Sequence, residues 1–139
     1  VIYALDSDTV SYFLKNNRDI QEKLKNILYE NNIYSIPPLV YYEVKRWLVL
    51  RKANTQLKAF TELYQASIKN EMTFEIWEKA VELYVRLTSQ GTPIGKDGKE
   101  ADIFTAAFCI VNNYVLVTNN TKHFSNIKEL KTVNWKGDT

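Results

Sequence analysis

Three short apolar runs, each cut off by polar residues and separated by stretches of helical periodicity, constrain this chain more than any other feature. They are Val1-Ile2-Tyr3-Ala4-Leu5, Ile33-Tyr34-Ser35-Ile36 and Tyr114-Val115-Leu116-Val117-Thr118. Each is too short for a helix and reads as a buried strand. Between them, residues 8–16 carry Val10, Phe13 and Leu14, and residues 19–30 place Ile20, Leu24, Ile27 and Leu28 on one face. Pro37-Pro38 opens the next helix, since proline is tolerated in a first turn where its missing donor is not needed. That helix is predicted to reach about Lys52, with Val40, Val44, Trp47 and Leu48 as its core stripe. Residues 57–68 continue helically, and 72–74 read as a brief strand or extended link. Residues 75–89 repeat Ile76, Ala80, Leu83, Tyr84 and Leu87 at helical spacing. Residues 100–111 are apolar nearly all round, as expected of a helix packed inside the protein. A fourth, short edge strand is predicted within 132–135. Strands alternating with helices imply an α/β fold, with a mainly parallel central sheet covered on both faces.

A chain of 139 residues is expected to form a single domain, residues 1–139, with one core. Its 45% hydrophobic and 24% charged content fits an ordinary soluble protein. No apolar run approaches the roughly 20 residues that span a bilayer, so no membrane partner is expected. The N-terminus lacks the basic lead and cleavage site of a signal peptide. The single cysteine, Cys109, excludes an intrachain disulfide and a cysteine-built zinc site, which suits a reducing, cytoplasmic setting. Within an apolar helix its thiol is expected to be inert. His123, the only histidine, rules out two-histidine acid–base catalysis and reads as a surface residue on a polar loop. Most of the nine tyrosines and three tryptophans are expected in the core. The net charge of +2 neither demands nor forbids a nucleic-acid partner. Basic candidates are Lys45-Arg46 with Arg51-Lys52, and Lys96 with Lys99; the ordinary reading of each is a solvated helix face or loop.

Four polar residues sit where these elements should meet. Asp6 ends the first strand, at the edge where open α/β sheets bind ligands. It is equally suited to cap the following helix, although Ser7, Asp8 and Thr9 could cap as well. Glu43 flanks the core stripe of the proline-led helix, where the ordinary reading is an ion pair with Lys45 or Arg46. Asp102 lies in the first turn of the apolar helix, where the helix dipole favours its charge. That helix is too apolar to leave its start wholly exposed, and buried carboxylates tend to be paired or to hold metals. Asn120 follows the third strand, where polar residues make turns by default. The segment 90–99 holds Gly91, Gly95 and Gly98 around Pro93, reads as a loop and leads into the helix bearing Asp102.

Taken in order, these segments resemble the PIN-domain ribonucleases. The resemblance rests on the strand ending in Leu5-Asp6-Ser7-Asp8, on Glu43 after a strand and proline, and on Gly91-Thr92-Pro93-Ile94-Gly95. It is strengthened by Asp102-Ile103-Phe104-Thr105-Ala106-Ala107 and by Leu116-Val117-Thr118-Asn119-Asn120-Thr121-Lys122-His123-Phe124. The ending Leu130-Lys131-Thr132-Val133-Asn134-Trp135 looks like the VapC-type toxin branch. The resemblance covers nearly the whole chain and implies a three-layer α/β/α sandwich with an acidic pocket at the carboxyl ends of the strands. By motif position Asp6, Glu43 and Asp102 match the acids that hold Mg²⁺ or Mn²⁺, and Ser7 matches the small hydroxyl residue after the first acid. Asn120 falls where many relatives carry a fourth acid; asparagine there is a familiar variant that removes a charge and leaves open whether one or two cations are held. Asp8 stands where Asn is usual and restores negative charge if it faces the pocket.

The implied activity is metal-dependent cleavage of structured RNA, tRNA or rRNA, by water, leaving a 5′-phosphate and a 3′-hydroxyl. The implied partners are a VapB-type antitoxin and a second copy of the chain in a homodimer. Two other readings remain at this level. Asp6-Ser7-Asp8-Thr9-Val10 after a strand also resembles the opening of haloacid-dehalogenase-like phosphatases, with Asp6 as nucleophile. Against it, the later glycine–aspartate pair is misplaced, since Asp97 precedes Gly98 and stands five positions before Asp102. The second is a non-catalytic RNA- or protein-binding module that keeps the fold.

Overall fold

A computed structural model describes residues 1–94 and 100–137. The elements run β1 (Ile2–Leu5), α1 (Ser7–Leu14), α2 (Arg18–Tyr29), β2 (Ile33–Ser35), α3 (Pro38–Leu50), α4 (Asn54–Gln65), α5 (Phe74–Ser89), α6 (Glu100–Asn112), β3 (Val115–Val117), a 3-10 helix (Thr121–Phe124) and β4 (Thr132–Val133). The strands pair in the order β2-β1-β3-β4, and every pairing is parallel. All carboxyl ends therefore share one edge of the sheet. The central register sets Ala4 opposite Leu116 and Leu5 opposite Val117, so β1 and β3 end side by side.

Successive strand residues point to opposite faces, and this divides the core in two. Ala4 and Leu116 pack with α5 and α6 through Leu83, Leu87, Ala106, Ala107 and Phe108. Leu5 and Val117 pack on the other face with Val10, Ile20, Val40 and Phe60 of the first four helices. The result is the three-layer α/β/α sandwich expected from the sequence.

The helix ends follow from local chemistry. Asn17 caps α2 by accepting from the Ile20 N–H at 3.2 Å, and Thr73 caps α5 by accepting from the Ile76 N–H at 3.4 Å. Asn16, Asn31 and Asn113 adopt positive φ just beyond α1, α2 and α6, the left-handed stop that asparagine tolerates better than most residues. Gly91 makes the same stop after α5 with φ of 73°. The rest of the loop predicted over 90–99 is described only to Ile94, which is buried. Gly95, Lys96, Asp97, Gly98 and Lys99 lie outside the described residues.

Three stripe positions depart from expectation. Leu28, Trp47 and Tyr84 are 46%, 49% and 52% exposed, although each was expected to face the core. Each is the chain neighbour of a buried residue (Ile27, Leu48 and Leu83) and so is turned about a quarter of the helix away from it. The aromatic content is likewise less buried than expected. Of the tyrosines and tryptophans only Tyr34 and Trp135 are buried, and Tyr29, Tyr42, Trp47, Trp77 and Tyr84 are exposed. Of residues 72–74, Met72 and Thr73 are an extended link with Thr73 as the N-cap of α5, and Phe74 already begins that helix. The β-bridge near them joins Ser35 to Ile68 instead.

The division of the core makes a quantitative prediction. Phe108 is fully buried and meets the Tyr114 ring edge-on at 5.8 Å, so Phe108→Ala should lose about 3–5 kcal/mol in urea unfolding. Val85→Ala, at a residue 55% exposed on α5, should stay within about 0.5 kcal/mol of the parent. Similar losses at both positions would contradict this placement of the core.

Candidate functional site

The site grows from the point where β1 and β3 end together. The Asp6 N–H donates to Val117 O at 2.9 Å, extending the sheet by one bond beyond Leu5. The chain then turns directly into α1, and Asp6 is its N-cap, with Oδ1 accepting from the Ser7 N–H at 2.9 Å. The capping task that the sequence left open among four residues thus falls to Asp6. The residue is 7% exposed. Burial, then the negative charge of Asp8 and, less strongly, that of Asp102, push its carboxyl up to about 7, against the lowering effect of its Ser7 and Thr118 hydrogen bonds.

Asp8 joins Asp6 from the first turn of the same helix. Its Oδ2 accepts from the Asn119 N–H at 2.9 Å and the Thr118 hydroxyl at 3.4 Å. Burial raises its carboxyl as well, although these donors oppose the shift. The hydroxyl of Thr9 donates to Val117 O at 2.9 Å and fastens the helix start to β3. The charge that the sequence could assign to Asp8 only conditionally therefore sits beside Asp6.

Asp102 lies in the first turn of α6, partly buried, with Oδ2 2.8 Å from His123 Nε2. His123 is therefore more than the surface residue expected. It lies in the 3-10 helix after β3 and is partly buried. Phe124 beside it is buried in the core and anchors that turn. The available signal was position: a histidine next to an apolar anchor within one turn of a strand end is held at the sheet edge. Thr118, fully buried at the end of β3 and bonded to the acids, was the other residue missed. Its signal was a hydroxyl closing an otherwise apolar run.

Asn120 and Glu43 are placed differently. Asn120 is exposed, and its backbone, rather than its side chain, joins the local network: the N–H donates to the Thr118 hydroxyl at 3.2 Å and the carbonyl accepts from the His123 N–H. Glu43, on α3, lines a cavity of about 410 Å³ together with Ser7 and Asp8 and so faces the acids from the opposite wall. Asp6, Asp8 and Asp102 thus share one electrostatic environment, while Glu43 adjoins it across the cavity. Among the described residues, no three His, Cys, Asp or Glu side chains already form a group able to hold a metal. Cys109 is buried, its thiol pushed up by desolvation, which keeps it inert.

An anionic cluster built of carboxylate oxygens, with no lysine or arginine among the described partners of Asp6, Asp8 and Asp102, suits a hard divalent cation. Since no three of these side chains form a ready-made group among the described residues, a cation held here would need water among its ligands. Mg²⁺ meets that condition, since it retains several of its waters.

Comparison with known proteins bears on the family and the fold. The profile of the PIN domain family matches residues 3–130. Ribonuclease VapC2 of Rickettsia felis is 26% identical over 140 residues, covering 97% of this chain and 98% of that protein. The structure of VapBC-1 from nontypeable Haemophilus influenzae superposes with a TM-score of 0.81 at 25% identity, over 97% of this chain and 98% of that one. The crystal structure of VapBC2 from Rickettsia felis, bound to a promoter DNA fragment, gives 0.83 at 24% identity, over 98% of this chain and 100% of that one. No helix among the described residues is long and apolar enough to cross a membrane.

The buried carboxyl of Asp6 sets a pH dependence. Its folded pKa lies above the ordinary value, so the native state holds a proton that the unfolded chain releases between pH 4 and 7. Stability should therefore fall as pH rises through that window, by at most about 4 kcal/mol from this group. In metal-free buffer Asp6→Asn, which keeps the cap, should melt higher than the parent at pH 8 and show a flatter profile from pH 4 to 7. A parent whose melting temperature rises steadily across that window would contradict the burial of this charge.

Proposed function

The chain belongs to the PIN-domain family, and on that premise we propose that it is a divalent-metal-dependent endoribonuclease, the toxin of a VapBC-type toxin–antitoxin pair. The observation that carries the proposal is a buried Asp6 carboxyl raised by burial and by the charges of Asp8 and Asp102 at the carboxyl edge of the sheet, with no lysine or arginine among the described partners of the three. Relatives named Ribonuclease VapC match almost end to end and support the same reading. Family membership replaces the phosphatase alternative.

In this reading Asp6, Glu43 and Asp102 hold Mg²⁺ or Mn²⁺, and Asp8 adds negative charge beside them. Held there, such a cation would supply a lowered pKa for water and charge stabilisation for the leaving oxygen of a phosphodiester. The residues of the chain supply position. The Ser7 N–H fixes the Asp6 carboxylate, the Asn119 N–H and Thr118 hydroxyl fix that of Asp8, and His123 fixes that of Asp102. Asn120, exposed next to Thr118, faces the substrate side of the edge. Water attacks phosphorus as the bond to the 3′-oxygen breaks, so the oxygen of water remains on the 5′-phosphate and the 3′-oxygen leaves as a hydroxyl carrying a proton from that water. With no nucleophilic side chain required, no covalent intermediate forms. The substrate is structured RNA, tRNA or rRNA, in the cytoplasm. The working unit is a homodimer of single-domain chains, residues 1–139, and the outward Trp77, Val81, Tyr84 and Val85 of α5 offer an apolar surface for it. A VapB-type antitoxin restrains the toxin by covering the acids.

Sequencing of RNA 5′ ends after incubation with Mg²⁺ tests the proposal. The parent chain should produce discrete new 5′-phosphate ends, and EDTA should abolish them. Asp6→Asn and Asp102→Asn should each lower the rate about 100-fold or more, the scale of several kcal/mol of lost charge stabilisation. RNA left intact by the parent chain, yet still bound, would assign the fold to a binding module instead.

A further inference from the structure

Two walls of the 410 Å³ cavity share one order of chemistry. On α1, Ser7 and Asp8 are followed by Ser11 and then Lys15. On α3, Glu43 is followed by Trp47 and then Arg51. The residues on each wall recur every three or four positions, so each set lies along one helix face. Both walls therefore run from carboxylate at the sheet edge to cation at the far end, about 12 Å away along α3.

Lys15 and Arg51 are the C-cap residues of their helices. A cation at a helix C-terminus is stabilised by the helix dipole whatever else it does. The dipole does not explain why two such ends line one cavity. Nor does it explain the exposed indole of Trp47 between acid and base, with the Arg51 guanidinium 5.1 Å from its ring centroid. Neither cation forms an ion pair with an acid among the described residues. The acids at one end suit a metal and a scissile phosphate; the far end suits a second phosphate and a base.

The geometry points to this groove as the track for a single-stranded RNA segment, with Lys15 and Arg51 holding the backbone phosphate next to the cleavage point and Trp47 stacking a base. The inference rests on the ribonuclease reading and extends it by naming residues that select substrate without touching the reacting atoms. A single strand fits better than a duplex, because a base must leave its stack to lie on an indole. Stacking of this kind tolerates any base, so Trp47 contributes affinity and register, and sequence preference arises elsewhere.

Fluorescence anisotropy of a labelled oligouridylate, with Asp102→Asn as the background to prevent cleavage, tests the assignment. Trp47→Ala should weaken binding about tenfold, and Trp47→Phe should retain most of the affinity. Lys15→Gln and Arg51→Gln should each reduce the slope of log affinity against log salt by about 0.7, the value for one single-strand phosphate contact. All three side chains are exposed and outside the core, so the melting temperature should stay at that of the background. Unchanged affinity and slope in the three single variants overturns the inference and leaves the groove to a protein segment. A background chain with no affinity for the oligonucleotide overturns it as well. Failure of the ribonuclease reading is seen separately, as RNA left uncut by the parent chain.

Discussion

The parallel register that sets Leu5 opposite Val117 is the constraint from which the rest of this molecule follows. It makes β1 and β3 end together, and the bond from the Asp6 N–H to Val117 O locks that ending. Asp6 is then left only 7% exposed, because α1 begins on the next residue. The same register delivers Thr118 and Asn119 beside Asp6 and Asp8, where a hydroxyl and an N–H meet carboxylate oxygen. Burial and neighbouring charge nevertheless outweigh these donors and hold the Asp6 carboxyl near 7. The fold thus maintains an electrostatic tension at its carboxyl edge that a divalent cation would relieve.

Much of the fold was legible in the sequence because its signals are local. The strands at Ile2–Leu5, Ile33–Ser35 and Val115–Val117 appear as apolar runs, and Asn16, Asn31 and Asn113 mark helix ends through backbone conformation. The burial of α6 follows from apolar residues on every face. The site was less legible, since it depends on lateral relations between elements. The pairing of Asp102 with His123 requires the turn after β3 to reach the start of α6, and no periodicity records that approach. Trp47 shows the limit from the other side. Its hydrophobicity suggested core, but a position one step around the helix from Leu48 leads out of the core and into the groove.

That groove ties the site to its surroundings. Ser7 and Asp8 belong both to the edge of the acidic cluster and to the cavity wall, so the two regions are continuous. Glu43 lines the same space as Asp8, and among the described residues no three carboxylates form a ready-made metal group. An open arrangement is consistent with a substrate phosphate completing the coordination of a hard ion. The basic and aromatic residues farther along then lie where the adjoining nucleotide would pass.

The central claim is that one cation neutralises the cluster around Asp6, and proton release on binding measures it most directly. A carboxyl with a pKa near 7 carries a proton at pH 6 and must give it up to bind a metal. Calorimetric titration of Mg²⁺ or Mn²⁺ in buffers of different ionisation enthalpy should show close to one proton released at pH 6 and little at pH 8. It should show none at either pH from Asp6→Asn. Binding without proton release at pH 6, or no binding at all, would contradict the account.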